Sequence, residues 1–284
     1  MKNVNWHSAA CDALRIDLEE YSDFLEYETE HVLGKRYYQI DLIIIRKPFD
    51  VPIQKVLAQG FRNINIFEIK GIGSSTTIRS FYKTLGYACQ YIDLGWKENR
   101  YTAEHITVNL LSRRKPKELM KHLRKIGLVV QALEAGIYAV TGGVFRIFLI
   151  VTRELAAESY LFLHCLTNNL GEKEEDGILL EQLAERYRGH TDSPPYENYA
   201  EQLIKANLAT LGGTMDTEQT TKPNLFVLFN QRLDRYKQQI EDSYKQQIED
   251  ISRERDELAE DYDALASKNA QLVALLAQNG ISVD

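Results

Sequence analysis

Two stretches decide the fold: Tyr37-Tyr-Gln-Ile-Asp-Leu-Ile-Ile-Ile-Arg46 and Asn63-Ile-Asn-Ile-Phe-Glu-Ile-Lys70. Each reads as a buried β-strand, and each carries ionisable groups where apolar residues belong. Asp41 interrupts Ile40 and Leu42, and Glu68 and Lys70 flank Ile69. Strand side chains alternate faces, so Glu68 and Lys70 point one way and Phe67 and Ile69 the other. A carboxylate within an apolar strand is costly to desolvate unless it is paired, hydrogen-bonded or bound to metal.

Outward from these strands, residues 6–24 predict an amphipathic helix, with Trp6, Ala10, Ala13, Leu14, Leu18 and Tyr21 near helical spacing. Residues 24–33 alternate as a strand does, and Gly34 marks a turn. Two prolines make 47–52 a loop. After the second quoted stretch, Gly71 and Gly73 release the chain into a helix carrying Ile78, Phe81, Tyr82, Leu85, Ala88 and Ile92 on one face. Strands are expected at 106–112 and 145–152, with strand material around Gly136 between them. A short basic helix is expected at 116–125 and further helices at 154–168, 177–188 and 196–211. The polar, turn-rich segments 189–195 and 212–224 read as linkers. The order helix, three strands, helix, strand predicts an α/β fold around a mixed sheet. Short connections make the early strands antiparallel, and the helical crossover makes the next strand parallel.

The last fifty residues change character. Ile248, Ile251, Leu258, Tyr262, Leu265, Leu272 and Leu276 alternate at steps of three and four, the heptad pattern of a coiled coil. Arg255 and Asn269 take two of the a positions, and an Asn there favours a parallel dimer in one register. Upstream, Tyr236-Lys-Gln-Gln-Ile-Glu-Asp-Ser243 is repeated at 244–251 with Ile251 replacing the serine; its period of eight locally unwinds the supercoil. The seam predicts a parallel homodimer through residues 225–279. The resulting division is 1–168 for the sheet domain, 169–211 for a helical extension, 212–224 for a linker and 225–279 for the coiled coil.

The net charge of −7 hides an asymmetry. Residues 71–132 hold 11 basic and 4 acidic groups, net +7, while every other part of the chain is net negative. A phosphate backbone approaching Glu68 and Lys70 would meet this basic stretch. Arg113, Arg114, Lys115 and Lys117 make much of it, with Arg79 and Lys83 on the preceding helix; a solvated helix face accounts for the same pattern. The three cysteines, Cys11, Cys89 and Cys165, are isolated, which suggests neither a disulfide framework nor a zinc cluster. The six histidines lack ligand spacing, and none adjoins a plausible nucleophile. The start of the chain lacks a signal-peptide core, and no apolar run reaches membrane-span length, so a cytoplasmic location with no membrane partner is the expectation.

A Glu-x-Lys triplet alone carries little weight, since about one is expected by chance at ordinary composition. Its context carries the signal. Asp41 and Glu68 would offer carboxylate oxygens to a hard divalent cation, Mg²⁺ or Mn²⁺, with the Ile69 carbonyl as a third ligand. Lys70 would orient the attacking water or stabilise the phosphorane. The competing expectation is an interstrand ion pair of Asp41 with Lys70, with Glu68 reaching solvent.

On Asp41 within Gln-Ile-Asp-Leu-Ile-Ile-Ile, on Glu68-Ile-Lys70, and on the element order, the chain resembles the PD-(D/E)XK nuclease-like superfamily. Leu25-Glu-Tyr-Glu-Thr-Glu-His31, Tyr87-Ala-Cys-Gln-Tyr91 and Gly136-Ile-Tyr-Ala-Val-Thr-Gly142 look like a bacterial group within it, similar in part to recombination-promoting, transposase-associated nucleases. The likeness covers about residues 1–165. It implies a restriction-endonuclease-like α-β-β-β-α-β core, metal ligation by Asp41 and Glu68, and a water-assisting Lys70. Ile40 departs from the proline of the pattern. A further first-helix carboxylate would be Glu19 or Glu20, with Glu28 and Glu30 as competitors from the next segment. The implied activity is metal-dependent cleavage of nucleic acid, DNA above all; the alternative is a non-catalytic scaffold acting through its coiled coil.

Overall fold

Strands of β-branched residues bounded by helices build one seven-stranded mixed sheet. A computed structural model describes residues 4–33, 38–47, 52–95, 101–170, 176–190, 193–207, 210 and 225–278. In chain order the elements are α1 (Trp6–Asp17), β1 (Leu25–Leu33), β2 (Tyr38–Arg46), α2 (Val56–Gln59), β3 (Ile64–Ile69), α3 (Ile78–Gly95), β4 (Ile106–Ser112), α4 (Lys117–Lys125), β5 (Val129–Glu134), β6 (Ile137–Thr141) and β7 (Arg146–Val151). They continue with α5 (Leu161–His164), α6 (Asp176–Arg188), α7 (Pro194–Asn207) and α8 (Leu225–Gln278). The strand order is β1-β2-β3-β4-β7-β6-β5. As expected, β1, β2 and β3 pair antiparallel and β4 joins β3 in parallel. β7 also lies parallel to β4, so three neighbouring strands end at the same edge of the sheet.

Alternation sorts the side chains into two cores. Leu42, Ile44, Phe67, Ile69 and Ile150 pack on one face with α1, α5, α6 and α7. Ile43, Ile64, Ile66, Val108 and Leu149 pack on the other with Phe81, Tyr87 and Ala88 of α3 and Leu119, Met120 and Leu123 of α4. All six residues of β3 and all seven of β4 are buried, as befits central strands covered on both faces.

Several boundaries differ from expectation. The first helix stops at Asp17, and a 3-10 turn occupies Glu19–Phe24. The Asp17 carboxylate instead accepts the N–H groups of Phe162 (3.2 Å) and Leu163 (2.9 Å), a long-range cap that starts α5 there. The helix expected at 154–168 is accordingly the single turn α5. Strand material around Gly136 is the hairpin β5–β6, with Gly136 at φ +80° in its turn. Pro194 opens α7 within the expected linker, since proline suits a first helical turn. The extension shares its core with the sheet domain, because Tyr196, Tyr199 and Leu203 of α7 belong to the α1 cluster. The linker at 212–224 and Gly34 lie outside the described residues.

Residues 1–230 and 231–284 form two units. α8 runs for 54 residues, about 80 Å at 1.5 Å per residue. Among the described residues no helix is long and apolar enough to cross a membrane.

Candidate functional site

The pairing of β2 with β3 ends at Leu42 against Phe67, and Asp41 and Glu68 are the next residue on each strand. At that step the ladder changes. Glu30 of β1, opposite Asp41, adopts φ 55°, a left-handed conformation that an L residue takes at a cost. Ile40 packs with one core and Leu42 with the other, although residues two apart on a regular strand share a face. The Asp41 carboxylate then stands in for a ladder carbonyl: its Oδ2 accepts the Ile69 N–H at 2.7 Å. The same oxygen lies 3.5 Å from Nδ1 of His7, at the start of α1. That hydrogen bond, working against burial, raises the His7 pKa above its ordinary value.

Glu68 is 1% exposed in the centre of the sheet. Its Oε1 receives two ammonium groups, Lys70 Nζ at 2.5 Å and Lys83 Nζ at 2.7 Å. Lys83 comes from α3, one turn into the helix that covers this face, and its Nζ also sits 5.3 Å from the Tyr87 ring centroid. Burial works against the Lys83 charge, but the Glu68 hydrogen bond and charge outweigh it and raise its pKa. The second oxygen, Glu68 Oε2, is buried and has no hydrogen-bond partner among the described residues. The competing expectation therefore fails: Lys70 pairs with Glu68 and not with Asp41, and Glu68 does not reach solvent. α3 closes over the position that a sheet end would have left open.

Asp41, Glu68, Ile69 and Lys70 thus meet at one end of the β2–β3 pair, joined by Lys83 from the expected basic set, while the other expected residues disperse. Glu19 accepts from Tyr196 at 2.8 Å and Glu20 lies 3.5 Å from Lys55; both line a separate cavity with Asp17. Neither is the further carboxylate. Sequence spacing missed that Asp12 and Glu30 share a cavity of about 330 Å³ with His7 and Asp41. The alternation of the Glu28 segment points to Glu30, whereas nothing points to Asp12, an acidic residue of the amphipathic helix α1. Glu28 is turned to His31, 2.8 Å away. Arg79 is exposed on α3 and Lys117 on α4. Lys115 is drawn to the Tyr138 hydroxyl and to Glu154 (3.4 Å), and Arg113 and Arg114 line a pocket of their own. The basic run 113–117 is therefore no single face.

A hard cation fits the donors present. Glu68 Oε2 is an oxygen without a partner among the described residues, Asp41 keeps Oδ1 outside its contact with Ile69, and the Ile69 carbonyl follows Glu68 directly. Mg²⁺ commonly takes one or two carboxylates and completes its shell with water and phosphate oxygens. Among the described residues no group of three or more His, Cys, Asp or Glu side chains is arranged to hold a metal. Comparison of the chain with protein-family models, with curated proteins and with solved structures gives no match.

Proposed function

We propose that residues 1–168 form a restriction-endonuclease-like core that hydrolyses phosphodiester bonds of nucleic acid with Mg²⁺ or Mn²⁺. The order α1-β1-β2-β3-α3-β4, with three antiparallel strands and a parallel fourth, supports that core. The observation that carries the chemistry is Glu68: a carboxylate 1% exposed, one oxygen held by two lysines, the other without a partner among the described residues, with the Asp41 carboxylate on the amide of the next residue, Ile69. An anion so placed in an apolar sheet costs several kcal/mol in stability, and ligation gives a reason for keeping it there. In this reading Asp41, Glu68 and the Ile69 carbonyl hold the metal, which when bound neutralises charge on the scissile phosphate and acidifies a water. Lys70, 24% exposed at its side chain, would turn its ammonium from Glu68 toward an attacking water and the non-bridging phosphate oxygens. Lys83 stays on Glu68 Oε1 and orients the carboxylate. The water oxygen would form the new bond to phosphorus as the bond to the leaving ester oxygen breaks; the water gives up a proton to solvent and the leaving oxygen takes one from it.

The coiled coil belongs to the same proposal. Ile248, Ile251, Leu258, Tyr262 and Leu265 are each more than half exposed on α8, an apolar row that a second copy would cover. A parallel homodimer through 225–279 would bring two sites to one nucleic-acid duplex. The lysine clamp favours a second reading, in which Glu68 is a structural ion-pair centre and the protein is a scaffold acting through α8.

Plasmid and single-stranded DNA incubated with Mg²⁺ or Mn²⁺ separate the two readings, with wild type set against Asp41→Ala and Lys70→Ala. Metal-dependent nicking lost in both variants supports the nuclease. No nicking by any of the three, with all three folded, supports the scaffold.

A further inference from the structure

The parallel strands β3, β4 and β7 end at one edge of the sheet, and the crevice outside the carboxyl ends of parallel strands is where ligands of open α/β sheets bind. A cavity of about 530 Å³ lies there, lined by Ile72 after β3, Arg113 and Arg114 after β4, and Arg153 after β7, together with His164 and Asn168. Three guanidinium groups around one space repel each other, and a bound anion relieves that repulsion. Arg113 is half-buried and anchored, donating from Nη1 to the Leu166 carbonyl at 3.0 Å. Burial first, then the charges of Arg153 and Arg114, lower its pKa, so the three charges do act on one another. Arg114 and Arg153 are exposed at the rim. Among the described residues lining the cavity, Asp176 at the start of α6 is the one carboxylate beside the three arginines. His164 donates from Nδ1 to the Leu155 carbonyl at 2.7 Å, which fixes its ring at the cavity wall.

We propose that Arg113, Arg114 and Arg153 form a phosphate-binding pocket, distinct from the Asp41–Glu68 site but at the same end of β3. Planar guanidinium forks match phosphate oxygens in pairs, and several around a small polar cavity suit a terminal phosphomonoester, which offers three oxygens, better than an internal diester. That the phosphate is the end of a polynucleotide rests on the proposed function; that the pocket binds phosphate does not.

The test uses the full chain. Isothermal titration with inorganic phosphate should show one site in wild type, binding about ten-fold weaker in Arg153→Gln and about a hundred-fold weaker in Arg114→Gln/Arg153→Gln, at about one charge-assisted contact per arginine. Both substitutions are at exposed positions, and an unchanged melting curve confirms that the variants fold. No heat with wild type, or equal affinity in the folded double variant, overturns the pocket. A 5′-phosphorylated oligonucleotide should displace phosphate at least ten-fold better than its 5′-hydroxyl counterpart; equal displacement overturns the polynucleotide assignment and leaves a small phosphate compound as the ligand. Asp41→Ala should bind phosphate as wild type does. Phosphate binding without metal-dependent cleavage refutes the nuclease alone, and cleavage without phosphate binding refutes the pocket alone.

Discussion

Glu68 and Asp17 are both buried carboxylates, and their surroundings give them opposite relations to charge. Glu68 is matched by two ammonium groups whose side chains remain 24% and 40% exposed, so removing its charge leaves lysines that can still reach water. Glu68→Gln is therefore expected to destabilise the fold by about 1–3 kcal/mol, less than breaking a fully buried pair; an unchanged urea midpoint would show that the clamp contributes nothing. Asp17 has two backbone donors, yet burial dominates and pushes its carboxyl up from 3.8 to about 7. The native chain keeps a proton there that the unfolded chain releases, so stability falls as pH rises from about 4 to about 7. The resulting cost is absent below that window and full above it, at most about 4 kcal/mol from a shift of about three units. Asp17→Asn should flatten the slope of unfolding free energy over this window, and an identical slope in both proteins would refute the assignment. The sequence made Glu68 conspicuous because its strand is otherwise apolar. Asp17 was silent, lying in an amphipathic helix where an acidic residue ordinarily faces water.

The elements themselves were legible wherever one period ran unbroken. β4 was read at its observed limits because seven residues bounded by polar ones leave little choice. Errors fell where a distant residue set a boundary: Asp17 ended one helix and began another 145 residues away. Gly136 shows the same dependence in a turn. A Cβ there would lie 2.7 Å from the Val151 carbonyl oxygen and 2.8 Å from the Leu155 nitrogen, and φ is +80°. The hairpin β5–β6 therefore passes against the end of β7 only because no side chain intervenes, and Val151 N–H donates to the Gly136 carbonyl at 2.7 Å. Gly136→Ala should cost about 2–4 kcal/mol from strain and displaced backbone, read as a lower melting temperature. Retention of wild-type stability would mean that the turn can shift freely.

At the scale of the whole molecule, α8 presents an apolar row with Leu258, Tyr262 and Leu265 exposed at 74%, 72% and 59%. Sedimentation of the full chain should give a dimer, residues 1–222 alone a monomer, and Leu258→Lys/Leu265→Lys in the full chain a monomer. A monomeric wild-type chain would refute the pairing. Mn²⁺ should raise the melting temperature of the wild type and not of Asp41→Ala, because a ligand stabilises the state that binds it; equal shifts would place the metal elsewhere. The sequence by itself determined the strands, the heptad seam, the early strand directions and the isolation of Asp41, Glu68 and Lys70 in apolar surroundings. Those follow from local periodicity and the cost of burying charge, which neighbours in the chain express. Only the tertiary structure decided that Lys83 joins Lys70 on Glu68, that Asp41 caps the Ile69 amide, and that three arginines gather at the ends of β4 and β7. Such meetings depend on which strands lie side by side and on how a helix crosses them, distances that no local period encodes.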